Sequence, residues 1–430
     1  MSAVWPFDAA YAEPQAPARP RRDWLDLAEK SLCVIMLMMM SAALLGRLGD
    51  PEQTGEGAAW LRQMWFPVYG VIGAMMVVRY RRMLSVWPAA LLLSLVVGWA
   101  FATYLWSVAP DVTFRRAVAL SFASFFGLYL AARFTWRELV ELLAAAALVL
   151  GLSSAFTAVA IPSFGVHNDE LFPGAWRGLW FEKNSLGGNM ARGALACLCA
   201  AIMSPERRKL WLFGAAVCAV LVVQSTSTTA LLATVMVMGG LLAIGLMRRG
   251  AAWTVAILWL AALGGIGFVA LMALNPDLFF SLIGKDATLT GRTGLWEALE
   301  HQAAQRPLTG YGYGAFWQAK YGPVSWVRNE INWDAHNADN GWLELRIQQG
   351  WIGLALIATC FAVFAARALP RIWRGQEGYW AVLFLALLGL ISVSESVLAR
   401  PNDMTWVVFT AGLAKLMQRD DPAPERPAGW

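Results

Sequence analysis

The stretch AWTVAILWLAALGGIGFVALMAL, residues 252–274, runs for 23 residues without one charged side chain. As a helix rising ~1.5 Å per residue it would reach roughly 35 Å, enough to cross a hydrocarbon core of about 30 Å. Directly after it the character of the chain reverses. From Asn275 to Gln349 the sequence is polar and holds Arg292, the run Gly310-Tyr311-Gly312-Tyr313-Gly314 and the triplet His336-Asn337-Ala338. A second apolar run then starts at residue 350. A span, a long water-facing loop and another span is the pattern of a membrane protein that works in one loop.

The same reading extends outward in both directions. Twelve apolar runs are expected to be spans, over 30–46, 64–78, 84–104, 115–132, 138–160, 185–203, 210–224, 229–247, 252–274, 350–367, 379–397 and 404–418. The second, seventh and last are short for the usual ~20-residue span. The composition agrees: 58% hydrophobic, 15% charged, mean hydropathy +0.50, where a soluble chain carries about a quarter charged residues. The expected fold class is an all-α polytopic membrane protein with about twelve transmembrane helices and one long loop containing short helices. One domain, 30–418, includes the loop 275–349. It is flanked by a Pro/Arg-rich tail, 1–29, and a Pro/charge-rich tail, 419–430. The first tail lacks the basic, apolar and small-residue order of a cleaved signal. All five cysteines (Cys33, Cys197, Cys199, Cys218, Cys360) fall in apolar runs and form no zinc or redox pattern.

The basic residues set the orientation. Arg79 with Arg81 and Arg82, Arg133 with Arg137, Arg207-Arg208-Lys209, Arg248-Arg249, and Arg367 with Arg371 and Arg374 all fall on the side of the two tails. The positive-inside rule makes that side the cytoplasm and puts the long loop in the periplasm of a Gram-negative cell. A net charge of +5 distributed in this way is a topology signal and not one for nucleic acid. The outer side still keeps Arg115, Arg116, Arg177, Lys183, Arg192, Arg292, Arg306, Arg328, Arg346 and Arg400. Cations kept there suit an anionic head group such as a pyrophosphate, or pair with nearby carboxylates (Asp111, Glu182, Asp286, Glu297, Glu344, Glu395).

Within the loop, Leu295, Trp296 and Leu299 predict a helix from Arg292 to about Gln305, capped by Thr290 and stopped by Pro307. A second helix is predicted over Asn337–Gln349, with Trp342, Leu343 and Ile347 on its apolar side and Glu344 and Arg346 off it. The tryptophans here (Trp296, Trp317, Trp326, Trp333, Trp342, Trp351) suit an interfacial belt or stacking against sugars. His336 is the natural general base among only three histidines, the others being His167 and His301. These do not have zinc-site spacing, and no Asp-x-Asp pair suited to a divalent cation occurs in an early outer loop. Asp50, Glu52 and Glu56 are the acidic cluster there. The glycine run lacks a nucleotide loop's Gly-Lys-Ser/Thr ending and predicts a tight turn whose amides approach an anion or sugar. Ser225 to Thr229 reads as a polar helix connection. Glu395, with Arg400 beside it, is an ionisable group near membrane depth and so a functional candidate.

Four stretches together resemble the bacterial O-antigen ligases and the O-antigen or exopolysaccharide polymerases, the Wzy- and WaaL-like family. They are Trp106-Ser107-Val108-Ala109-Pro110 with Arg115; Arg177-Gly178-Leu179-Trp180-Phe181-Glu182-Lys183-Asn184-Ser185-Leu186-Gly187; Gly291-Arg292-Thr293-Gly294-Leu295-Trp296 followed by Arg306-Pro307-Leu308-Thr309-Gly310; and Ala335-His336-Asn337 followed by Gly350-Trp351-Ile352-Gly353. The resemblance runs from about Leu84 to the last helix. Each motif alone is weak; their order and topology are specific. The ending Ser394 to Asn402 is most similar to ExoQ-type polymerases. One departure is Asp339, where many members carry an aromatic residue.

The resemblance implies a GT-C-like membrane glycosyltransferase in the bacterial inner membrane, both termini cytoplasmic. Its donor would be an undecaprenyl-pyrophosphate-linked oligosaccharide and its acceptor a glycan hydroxyl, with no metal or other cofactor. Expected partners are membrane lipids, a flippase and chain-length or export proteins, with no nucleic acid. His336 would act as base, while Arg292 and Arg177 would neutralise the pyrophosphate. Arg115, Lys183, Asn184, Arg192, Tyr311, Asn337, Glu395 and Arg400 would contact substrate. Polymerisation of repeat units is the first expectation. Ligation to lipid A-core, or protein O-glycosylation, shares its chemistry. A transporter or flippase is the alternative of another class; it would line a central cavity with charge, whereas here charge gathers at the outer ends of spans.

Overall fold

An apolar run of about 20 residues satisfies its backbone in lipid by forming a helix, and over the described residues each expected span overlaps one. The structure is a computed structural model, and it describes residues 24–44, 59–168, 172–275, 292–319 and 321–418. The helices used below are α1 Trp24–Met40, α2 Trp65–Val78, α3 Trp87–Ala102, α4 Pro110–Arg133, α5 Trp136–Ala160, α6 Lys183–Met203, α7 Arg208–Gln224, α8 Thr228–Met247 and α9 Ala251–Leu274. The loop contributes α10 Arg292–Gln305 and α11 Pro323–Ile331, and then come α12 Gly341–Ala368, α13 Glu377–Ser394 and α14 Met404–Met417. Among the described residues eight stretches are long and apolar enough to cross a membrane, while α2 and α14 are shorter apolar helices. The chain is a nearly all-helical, multi-pass membrane protein.

Residues 24–29 of the expected tail are helical, the described part of α1 running from Trp24. Its polar first turns are anchored where α4 and α5 meet. Arg133, 4% exposed, pairs with Asp26 at 2.6 Å and Glu29 at 3.0 Å. Lys30 bridges Asp26 and Glu138, each at 2.8 Å. Removing one partner of Arg133, the most enclosed member, would leave an uncompensated buried charge. The expected tails over 1–23 and 419–430, the acidic cluster Asp50, Glu52 and Glu56, and the Thr290 cap lie outside the described residues.

Small residues set how closely the spans approach. A side chain at Gly127 would strike the Thr410 hydroxyl and the Val407 carbonyl of α14, and one at Gly193 would meet Ala147 of α5. In lipid, where apolar burial between helices gains little, this close packing is the main source of association.

The loop is seated on the helix ends by its glycine run, and the structure corrects the role expected for it. Its amides bond protein. Tyr311 N donates to Ile347 O at 3.0 Å and Gly312 N to Gln348 O at 2.9 Å. Tyr313 N donates to Thr103 Oγ1 at 3.0 Å and Gly314 N to Gln348 Oε1 at 2.8 Å. Arg116 of α4 donates to the Gly314 carbonyl at 2.9 Å. Gly312 has φ +107°, and a Cβ there would collide with Ser107. Gly312→Ala is therefore expected to destabilise the protein by roughly 1–3 kcal/mol, seen as a lowered midpoint in thermal unfolding of the detergent-solubilised protein. An unchanged midpoint would contradict the seating.

The second loop helix also differs from expectation. It starts at Gly341, capped by Asn340, whose side chain accepts from Trp342 N and Leu343 N at 3.0 and 3.2 Å. It continues into the membrane through a bend at Gly350, φ +64°. The bend has a cause: Trp351 N donates to Pro307 O at 2.8 Å, so a loop carbonyl replaces the helical acceptor.

Candidate functional site

The His336 loop is held on both flanks. Ala335 O accepts from Arg328 Nε and Nη2 at 3.2 and 3.1 Å. Ala338 O accepts from Trp296 Nε1 at 2.8 Å, and Ala338 N donates to Glu344 Oε2 at 2.8 Å. Between these fixed points His336 and Asn337 are exposed. Short polar loops ordinarily wander; two pinned alanines turn this one into a display for an imidazole.

Glu344 is the hub of that support, and sequence reasoning placed it merely off the apolar face. Its carboxylate accepts from Trp317 Nε1 at 2.8 and 3.0 Å, from Gln348 Nε2, from Ala338 N, and from Ser396 Oγ at 3.4 Å. The signal was available only in part: a lone acidic residue in a helix otherwise packed with Leu343, Leu345 and Ile347.

Charge gathers next to the displayed histidine. Asn337 Oδ1 accepts from Asp339 N at 2.7 Å. This turn holds Asp339 at φ +46°, a left-handed backbone that Asp tolerates. From there its Oδ2 pairs with Arg292 Nε at 3.3 Å. The departure noted at Asp339 thus has a structural result, an ion pair on Arg292. Burial raises the Asp339 carboxyl above its ordinary range, with Arg292 opposing. Ser396 Oγ donates to Asn337 Oδ1 at 3.4 Å and ties the loop to the turn after α13.

Glu395 opens that turn. Burial pushes its carboxyl up to about 7; the charge of Asp339 adds to the rise, Arg292 and Arg400 oppose it, and Glu182 adds a little. Arg192 of α6 lies within electrostatic range of Asp403, Glu395 and Arg400. It donates to Asn189 Oδ1 at 3.1 Å, and its buried Nε has no hydrogen-bond partner among the described residues. One region therefore unites Arg292, Asn337, Asp339, Glu395, Arg400 and Arg192 from four separate stretches of sequence.

The Glu395 carboxyl carries a pH prediction. Because its folded-state value is raised, the stability it contributes is present below the ordinary carboxylate range and is lost as pH rises through about 7. Glu395→Gln, which cannot ionise, should gain thermal stability relative to the parent at pH 8 and gain less at pH 5. An equal difference at both would contradict this.

Other expected contacts are engaged elsewhere. Arg177 donates from Nε to Phe164 O at 3.2 Å and from Nη2 to Ser163 O at 3.4 Å, bracing its own loop. Lys183 bonds Thr226 Oγ1 at 3.1 Å and stands 4.2 Å over the Phe172 ring. Asn184 is half-buried in the first turn of α6. Tyr311 was expected to touch substrate, but its ring is 2% exposed and its hydroxyl donates to Gln302 O at 3.0 Å. Arg115 is exposed on α4 and borders a separate cleft. Trp296 and Trp317 are struts, while Trp326 and Trp333 stay exposed.

With this geometry in hand, comparison with known proteins gives two findings. A family model described as O-antigen ligase matches residues 213–358, from α7 to the bend region of α12. The chain is also 28% identical over 308 residues to the exopolysaccharide production protein ExoQ of Rhizobium meliloti (strain 1021), a match covering 67% of each chain. Residues 213–358 are thus similar to the O-antigen ligase family, and two thirds of the chain is similar to an exopolysaccharide production protein.

Proposed function

We propose that this chain, similar over 213–358 to the O-antigen ligase family, joins lipid-pyrophosphate-linked oligosaccharide units into a polysaccharide at the periplasmic face of the inner membrane. The observation that carries the reading is His336 displayed between two pinned residues beside an arginine–carboxylate cluster. An acceptor hydroxyl gives its proton to the His336 imidazole. Its oxygen forms the new bond to the anomeric carbon, and the bond from that carbon to the pyrophosphate oxygen breaks. The carrier leaves as lipid pyrophosphate. Arg292 meets the negative charge that grows there; Asp339 holds its Nε, which turns the rest of the planar fork toward phosphate oxygens. Attack in line with the leaving group inverts the anomeric centre. Arg400 and Arg192 supply further positive potential, and neither loop nor helix ends form the site alone. The tail side is cytoplasmic in this reading, and undecaprenyl pyrophosphate is the carrier.

Polymerisation is favoured by similarity to ExoQ over two thirds of the chain. Ligation to lipid A-core is the second reading, favoured by the description of the matched domain. Inactivating the gene separates them. Loss of secreted polymer with normally capped lipopolysaccharide supports polymerisation. Loss of the cap with normal polymer supports ligation. Neither loss would overturn both.

A further inference from the structure

Where α3 meets α4, on the loop side, a cleft of about 990 Å³ opens that the transfer step above does not use. Its size is at the upper end of ligand sites, about 300–1,000 Å³. Three aromatic rings line it. Tyr104 and Phe114 are 44% and 52% exposed, with centroids 6.3 Å apart and ring planes at 70°. Phe101 stands edge-on to Phe114 at 5.8 Å. Asp111, Arg115 and Gln318 share the lining, and Gln318 comes from the turn that follows the glycine run. Exposed rings at such angles offer faces to the C–H side of a sugar. A carboxylate, a guanidinium and a carboxamide beside them match hydroxyls that both donate and accept. An acyl chain would offer those three groups no partner.

The cleft is also coupled to the site. Arg116, next in sequence to Arg115, holds the Gly314 carbonyl and lies within electrostatic range of Glu344 and Arg400. We infer that this cleft is a subsite for the glycan being extended, gripping sugars already joined while the next unit is transferred at His336. The inference rests on the polymerisation reading.

Purified full-length protein supplied with lipid-pyrophosphate-linked repeat units tests it, with dimer formation and final chain length both read. The Tyr104→Ala, Gln318→Ala double variant is expected to form dimer at the parental rate while long polymer falls at least several-fold. Tyr104→Phe, which keeps the ring, should keep the long chains. Parental chain length in the double variant overturns the subsite and leaves the transfer reading intact. Dimer rate and chain length falling together also overturn it, as a carrier-lipid site or general damage would produce. A parental protein that forms no dimer sinks the transfer reading, and this inference with it.

Discussion

Replacing His336 by alanine is expected to lower glycan transfer by about 10²–10⁴-fold, the usual contribution of a positioned general base, with membrane level and thermal midpoint unchanged. The asymmetry follows from the geometry. The imidazole is exposed, while the order of its loop comes from Ala335, Ala338 and the groups that bond their backbones. Removing the side chain takes away the proposed base and leaves the frame. Steady-state transfer with matched protein levels checks this. Activity within a few-fold of the parent would remove His336 from the reaction.

Glu344→Ala is expected to act in the opposite way, through the frame. It leaves Ala338 N, Trp317 Nε1 and Gln348 Nε2 without their shared acceptor. Each buried group left unsatisfied costs about 1–3 kcal/mol, so the thermal midpoint should fall measurably. Transfer should fall about 10²-fold, the scale of an ~1 Å misplacement. The loss should appear in kcat with KM for the donor little changed, because Glu344 faces the loop and not the substrate. Glu344→Gln keeps one oxygen for Ala338 N and should recover part of the rate. Equal loss in both variants, or a loss confined to KM, would contradict a positioning role.

Much of the membrane architecture was legible because a span needs only composition over ~20 residues, and runs such as 252–274 leave no alternative. The loop was legible where local rules govern: Pro307 ends α10, and Arg292 begins it. It was not legible where distant partners decide. Gly310 to Gly314 read as a ligand-facing turn because sequence does not reveal that Gln348, Thr103 and Arg116 use up its bonds. Asn340 and not Asn337 caps α12, and the Asn337 side chain instead accepts from the Asp339 amide. Glu344 read as a residue off the apolar face and a candidate partner for an outer cation, since helical spacing reports which face a residue takes and says nothing of what packs there. The pairing of Arg292 with Asp339, 47 residues apart, was hidden for the same reason. Arg177 and Tyr311, both chosen from sequence, each donate to a neighbouring carbonyl, bonds that the sequence does not reveal.

The most direct measurement of the whole account is transfer by the purified protein alone, in detergent or vesicles, given a lipid-pyrophosphate-linked oligosaccharide and a chelator of divalent cations. The account predicts a ladder of joined glycans with one lipid pyrophosphate released per bond formed, lost in both His336→Ala and Arg292→Ala. A ladder that persists undiminished in both variants would contradict it.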